Sequence, residues 1–336
     1  MSSEFAVVAF LVALVATLGA SEVLVWGLSR LGLKLGLAAG LLGLLTALGA
    51  DAPEIASASS AAFSGARDVG VGVILGSNLF NLAALLGLPG LLVGRLSFRR
   101  LVPVADGTAN LLVTVVAGGL LLGIVPARMA VALFALVLAL YAAILALPPW
   151  RIRRLPLPGW ATRGLLLLSA QIHPEDMVAD VMRVGRGWLP VPFVPLALAV
   201  IIAGSVIMVT AAILLGQRWH VPDAVIGTVA LASITGLPNL YAAIRLALRG
   251  DGATVVSEAF NSNTLNLVAG LGLPAVVLGT GPPAPGIAST LMWLSGLSVA
   301  AIAIAALQGG LTRTGGAAIV LAYGGFLVVL LRTAGG

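Results

Sequence analysis

Ten apolar stretches, each long enough to cross the ~30 Å hydrocarbon core of a bilayer, leave this chain little choice of fold. They fall near residues 4–28, 33–62, 69–93, 101–123 and 127–147, then 194–217, 221–247, 253–280, 286–308 and 315–332. In lipid every backbone N–H and C=O must bond within the protein, so segments of this kind become helices. Only 9% of the 336 residues are charged, whereas a soluble surface needs roughly a quarter. The expected fold class is an all-α membrane protein of ten transmembrane helices, with the lipid bilayer as its surroundings. The first stretch lacks a basic lead and runs too long for a cleaved signal peptide, so it is expected to remain as the first span.

The two sets of five are separated by the only long polar connection, residues 148–193, rich in Pro and Arg. An amphipathic helix is expected within it, around 162–184. Of the 18 basic residues, 14 fall on the side of this linker, Arg30 and Lys34 in the first such loop among them. The positive-inside rule then puts the linker in the cytoplasm and both termini outside, in a multi-pass protein of the cell membrane. Orientation signals account for the excess of basic over acidic residues, so nucleic acid is not an expected partner. Cysteine is absent and only His173 and His220 occur, which argues against a zinc centre.

The two sets repeat. Displaced by 185 residues, "GADAPEIASASSAAFSGARDVGVGVILGSNLFN" lies over "TGLPNLYAAIRLALRGDGATVVSEAFNSNTLN". Pro53 meets Pro238, and Ser77, Asn78 and Asn81 meet Ser262, Asn263 and Asn266. Residues 1–147 and 194–336 are therefore two five-helix repeats, with motif blocks at 46–92 and 231–277. Five is an odd number of spans, so the second copy enters the membrane from the opposite side, the inverted arrangement of many secondary transporters.

Proline removes a backbone donor and clashes with the carbonyl one turn earlier. Pro53 and Pro238 are each expected to break a span and to free carbonyls near Ala47–Asp51 and Ala232–Gly236. Irregular backbone at membrane depth is tolerated where it lines a wet cavity or is buried in protein. Ser77 with Asn81, and Ser262 with Asn266, each share a helix face one turn apart. Taken singly, such residues usually bond between helices; the repetition at one offset, beside Asp51 and Glu54, points to an ion path instead. Oxygen ligands of these kinds suit hard cations.

With their breaks and polar helices, "GADAPE…GSNLFN" and "TGLPN…NSNTLN" resemble the two alpha repeats of the calcium/cation antiporter superfamily, which includes sodium/calcium exchangers. The resemblance implies exchange of inorganic cations by alternating access, with Ca²⁺ as cargo, Na⁺ or H⁺ as counter-ion, and no cofactor. It implies cation ligands at Glu54, Ser77 and Asn81 in the first repeat and at Thr235, Ser262 and Asn266 in the second, with backbone carbonyls of Ala47 and Ala232. The departures are informative. Asn239 stands at the second-repeat glutamate and Asn266 where an aspartate is frequent, while Ala50, Asp51 and Gly236 replace hydroxyl residues. Both site acids therefore come from one repeat, and Asp51 is read as the substitute carboxylate. The loss of hydroxyls and of charge from the second half weakens the case for Na⁺ and adds weight to H⁺, which needs only a suitable carboxylate.

Glu258 lies one turn before Ser262 and is a candidate proton or accessory group on the ion path. Glu22 is expected near the interface, and Asp68, Asp223 and Asp251 at helix starts, where the helix dipole favours acids. Two readings stay open beside the antiporter: a non-transporting sensor or scaffold of the same fold, and an antiporter with a different ion set. An enzyme is not expected, because an intramembrane aspartyl protease would need a second Asp facing Asp51. Oligomeric state is not legible.

Overall fold

The structure, a computed structural model, describes residues 2–37, 39–98, 100–147, 149–156, 158–169, 191–279, 281–284 and 286–334. The first half comprises α1 (Ser3–Lys34), α2 (Ala39–Ala50), α3 (Ala52–Phe63) and α4 (Arg67–Asn81), the last continuing through a π-helical segment (Leu82–Gly87) into α5 (Leu88–Val93). After β1 (Arg95–Ser97) come α6 (Leu101–Leu121) and α7 (Ala127–Ala146), then short helices α8 (Pro149–Ile152) and α9 (Gly159–Ser169). The second half opens with α10 (Val194–Trp219), α11 (Asp223–Val225), a π segment (Ile226–Leu231), α12 (Ala232–Thr235) and α13 (Leu237–Leu248). It continues with α14 (Gly252–Leu265), a third π segment (Asn266–Leu271), α15 (Gly272–Leu278), α16 (Ile287–Gln308), β2 (Gly310–Thr312) and α17 (Arg313–Ala334).

The helix boundaries repeat at the offset of the sequence. Moved along by 185 residues, α3 falls on α13 residue for residue, and α4 falls on α14 within one residue. Equivalent helices also pack together across the halves: α1 lies along α10, and α6 along α16. Large apolar side chains such as Val12, Val15, Val115 and Val206 on these helices, and Leu140 on α7, point outward, as a lipid-facing surface requires.

Among the described residues, seven helices are long and apolar enough to cross a membrane, or up to nine if each of two bent pairs is one span. The segment expected as the span 253–280 lies outside that count. It is helical from Gly252 to Leu278 but carries Glu258, Asn261, Ser262, Asn263 and Asn266, so its polarity hides it. Two further expectations are corrected, and one lies partly outside the described residues. The first span runs to Lys34, and Arg30, expected in a loop, lies inside it with its side chain buried. A wholly helical chain was expected, yet β1 and β2 pair antiparallel, with Leu96 opposite Leu311. Of the stretch 162–184, residues 162–169 belong to α9; the remainder, with His173, lies outside the described residues.

Close approach of backbones holds the centre together, as is usual where helices meet without a hydrophobic driving force between them. A Cβ on Gly76 of α4 would run into the carbonyl and Cα of Thr228. Gly76→Ala is expected to destabilise the fold by about 1–3 kcal/mol through overpacking, read as earlier loss of folded protein on heating in detergent. Gly19→Ala, where nothing lies within 4 Å of the added methyl, is the control and should leave the melting curve unchanged.

Candidate ion site

The chain breaks where the prolines predict. α2 and α3 meet at 53° around Asp51, and the helical run Asp223–Thr235 meets α13 at 45° around Gly236. Which carbonyls are released differs in detail from the expectation. Pro53, the second residue of α3, has no N–H for the carbonyl of Gly49, and the Ser21 hydroxyl of α1 donates to that oxygen at 3.0 Å. Ala47 keeps a helical bond, its carbonyl accepting the Asp51 N–H at 2.9 Å. Ala232 does the same with the Gly236 N–H at 3.2 Å. Both alanine carbonyls therefore offer one remaining lone pair rather than a free oxygen, because each lies further from its proline than the carbonyl that the ring orphans.

At the first break two acids three residues apart are buried, Asp51 at 1% exposure and Glu54 at 0%. Asp51 occupies the N-cap position of α3, but its side chain makes no capping bond. It reaches across to the second half instead. Oδ1 accepts from the Ser262 hydroxyl at 2.5 Å and from the Asn239 amide at 3.0 Å. The Asn239 amide thus supports the Asp51 carboxylate from the second half. Glu54, in the first turn of α3, has no hydrogen-bond partner on either carboxylate oxygen among the described residues. A helix start is a favourable place for that charge.

The paired helices α4 and α14 cross at their asparagines. The Asn78 amide donates to the carbonyl of Asn263 at 3.0 Å, and the Asn263 amide donates to the carbonyl of Asn78 at 3.0 Å. This reciprocity is what a two-fold relation between the helices produces. Three residues further along each helix the symmetry fails. The Asn81 amide donates to Ser262 and to Oδ1 of Asn263, both at 3.1 Å, whereas both side-chain polar atoms of its counterpart Asn266 are without a partner. Ser262 is engaged by Asp51, while Ser77 has no partner among the described residues. The cause is the exchange of side chains at the breaks: Asp51 has Gly236 as its counterpart, which can receive no hydrogen bond from Ser77.

Thr235 spends its proton on its own helix, donating to the carbonyl of Leu231 at 2.8 Å, and keeps its oxygen lone pairs. Glu258 is half-buried with Oε2 unpartnered and has no hydrogen bond to Asp51, Ser262 or Asn266 among the described residues. Asp251 caps α14 through the Thr254 N–H at 3.1 Å, and Asp68 sits in the first turn of α4, as expected. Glu22 is exposed on α1.

What remains is a concentration of oxygen acceptors. Both oxygens of Glu54, Oδ2 of Asp51, the hydroxyls of Ser57 and Ser77, and the amide oxygens of Asn78, Asn81 and Asn266 are buried without a partner among the described residues. α3 packs against α4 and against the π segment that begins at Asn266, which gathers these groups. Buried polar atoms are nearly always bonded, so a cluster of unsatisfied acceptors beside two carboxylates suits a hard cation with six to eight oxygen ligands. Sequence reasoning missed Ser21 and Ser57. Ser57 lies one turn beyond Glu54 and was legible by helical spacing, whereas nothing local marks Ser21.

Broken helices, π segments and an oxygen-lined centre define a multi-pass membrane transporter of the ion-exchanger class. The chain belongs to the sodium/calcium exchanger protein family, which matches residues 5–149 and 191–332, a family of exchangers rather than enzymes. It is 30% identical over 239 residues to the inner membrane protein YrbG of Escherichia coli (strain K12), covering 69% of this chain and 67% of YrbG. Its fold is similar to that of the H⁺/Ca²⁺ exchanger CAX, with a TM-score of 0.70 and 14% identity over 97% of this chain and 82% of CAX. The sodium–calcium exchanger NCX_Mj gives a TM-score of 0.59 and 18% identity over 96% of this chain and 97% of that one.

Proposed function

We propose that the protein is a secondary active antiporter that exchanges Ca²⁺ for Na⁺ or H⁺, with Glu54 and Asp51 as the charged ligands of one central site. The observation that carries this reading is the buried Asp51 carboxylate, bonded across the halves to Ser262 and Asn239, with buried oxygens of Glu54, Ser77, Asn81 and Asn266 left unpartnered among the described residues, on helices that pack together. Two carboxylates can together balance one divalent ion. Ser77, Asn81, Asn266, Thr235 and the alanine carbonyls of residues 47 and 232 are proposed to complete its oxygen shell, with Ser262 and Asn239 orienting Asp51. The recurrence of helix boundaries at one offset, with the reciprocal Asn78–Asn263 bonds, supports two inverted repeats that expose the site alternately to either side. The basic residues support a cytoplasmic linker.

The second half contributes amides where charged oxygens would favour Na⁺, since each desolvated Na⁺ needs local compensation. Proton coupling requires only a carboxylate that exchanges H⁺ for Ca²⁺, and the reading leans toward it. Reconstitution in proteoliposomes tests both the class and the coupling. Ca²⁺ flux driven by a pH gradient without Na⁺ is the expected result. Flux that needs Na⁺ and ignores the pH gradient would make Na⁺ the counter-ion, and folded protein with no flux under either gradient would make it a non-transporting relative.

A further inference from the structure

A second polar cluster, where α6, α7 and α14 meet, shares no side chain with the Asp51–Glu54 site. Asp106 of α6 is 6% exposed and Tyr141 of α7 is 7% exposed. Tyr141 Oη lies 2.8 Å from Oδ1 of Asp106 and 2.6 Å from Oδ1 of Asn261, on α14. The Ser257 hydroxyl, also on α14, donates to Oδ2 of Asp106 at 2.5 Å. An acid buried at membrane depth is costly and usually functional, and the exchange site does not use this one.

The spacing selects the ligand. Oxygens that share a Na⁺ or Ca²⁺ ion at 2.3–2.6 Å from the metal sit roughly 3 Å or more apart. Separations of 2.5 to 2.8 Å are those of O–H···O bonds. Each of the three oxygen–oxygen contacts therefore needs one hydrogen. Tyr141 and Ser257 supply one each. A phenol has a single proton, so it cannot serve both Asp106 and Asn261.

We propose that Asp106 is a second proton-binding site, separate from the central ion site, which holds H⁺ on Oδ1 in the chain Asp106–Tyr141–Asn261. Asp106 donates to Tyr141, Tyr141 donates to Asn261, and Ser257 donates to the other carboxylate oxygen, so every contact has one hydrogen. When the proton leaves for water, Tyr141 turns its O–H to the carboxylate and Asn261 loses its donor. One tie between α7 and α14 is then released. α14 carries Ser262 in its last turn and leads directly into Asn266, so occupancy at Asp106 bears on how the second half presents its ligands to the cation.

The elements around Asp106 offer few competing charges. α16 and the π segment after α14 pack against α6 and carry no titratable side chain. α7 carries Arg128 only at its opposite end, α9 carries Arg163, which is exposed, and on α14 the next titratable group is Glu258.

Infrared difference spectra of the full chain reconstituted in lipid, recorded between acidic and alkaline pH, test the proposal without reference to transport. A protonated-carboxyl C=O band is expected that Asp106→Asn removes. Tyr141→Phe should move the same band to higher frequency, because the acid loses its acceptor. A spectrum of Asp106→Asn that superimposes on the wild type would overturn the proposal. It would mean that Asp106 is ionised and that Asn261 turns its N–H toward Tyr141. Should Asp106→Asn not fold, the Tyr141→Phe shift decides alone, and an unmoved band rejects the site. The link to α14 is read separately from the pH profile of Ca²⁺ uptake: one step is expected to vanish in Asp106→Asn, and a profile that keeps every step rejects the link.

Discussion

Replacing Glu54 by Gln is expected to abolish Ca²⁺ exchange while leaving the protein folded. The side chain is fully buried and neither carboxylate oxygen is bonded, so the isosteric amide fits the same space and breaks no hydrogen bond. What it removes is one of two charges available to a desolvated divalent ion. Breaking one side of a buried charge interaction costs about 3–5 kcal/mol, which is roughly 150- to 5,000-fold in affinity. Radiolabelled Ca²⁺ binding and uptake would both show it. The melting temperature in detergent without Ca²⁺ should be equal or higher, because an uncompensated buried charge opposes folding. Near-normal uptake in Glu54→Gln would remove Glu54 from the ion path.

The second large effect is expected at Asp51 and should be partly reversible. Asp51→Ser restores a hydroxyl residue at the break but removes the second charge, and a loss of divalent binding of about the same size follows from the same argument. Asn239 faces Asp51 directly, with its amide 3.0 Å from Oδ1. Adding Asn239→Glu moves the charge across the interface between the halves and keeps the total. The double variant is expected to regain Ca²⁺ binding to within roughly tenfold of wild type, the remaining loss being the price of an amide donor given up. Unchanged affinity in Asp51→Ser would make Asp51 a structural residue that holds Ser262 and Asn239 in place. These two positions are in one network, so their effects should not add, and a measured coupling energy is the sharper observable.

How much of the site could be read before any contact was known differs from residue to residue. Glu54 and Asp51 were legible because an acid next to a proline in an apolar span breaks two rules of membrane helices at once. Ser77, Asn81, Ser262 and Asn266 were legible because the same pattern returns 185 residues later. Asp106 carried a signal of the first kind, an acid inside the span 101–123, but it has no counterpart in the repeat, and its neighbour Pro103 lies in the first turn of α6, where a proline breaks no helix. The helical segment Gly252–Leu278 shows the opposite case. Its position in the repeat identifies it, although its own polarity argues against a span.

The sequence by itself determined that the chain lives in a bilayer, that its helices form two related sets, where those helices break, and which acids sit at the breaks. All of these are set within a few residues: hydrocarbon enforces backbone bonding inside each segment, and a proline acts on the turn that precedes it. Only the tertiary structure decided the partners. Ser262 reaches Asp51 across 211 residues of chain, Asn239 across 188, and Tyr141 reaches Asp106 across 35. Ser21 covers the carbonyl orphaned by Pro53, and Arg30 is drawn inside its helix bundle. Such pairings leave no trace in local periodicity, because a buried side chain is satisfied by whichever neighbour packing brings within 3 Å. The same reason explains why the two halves, alike in pattern, build an asymmetric site. The repeat prescribes where the helices go, and one aspartate opposite one glycine then decides which oxygens are left for an ion.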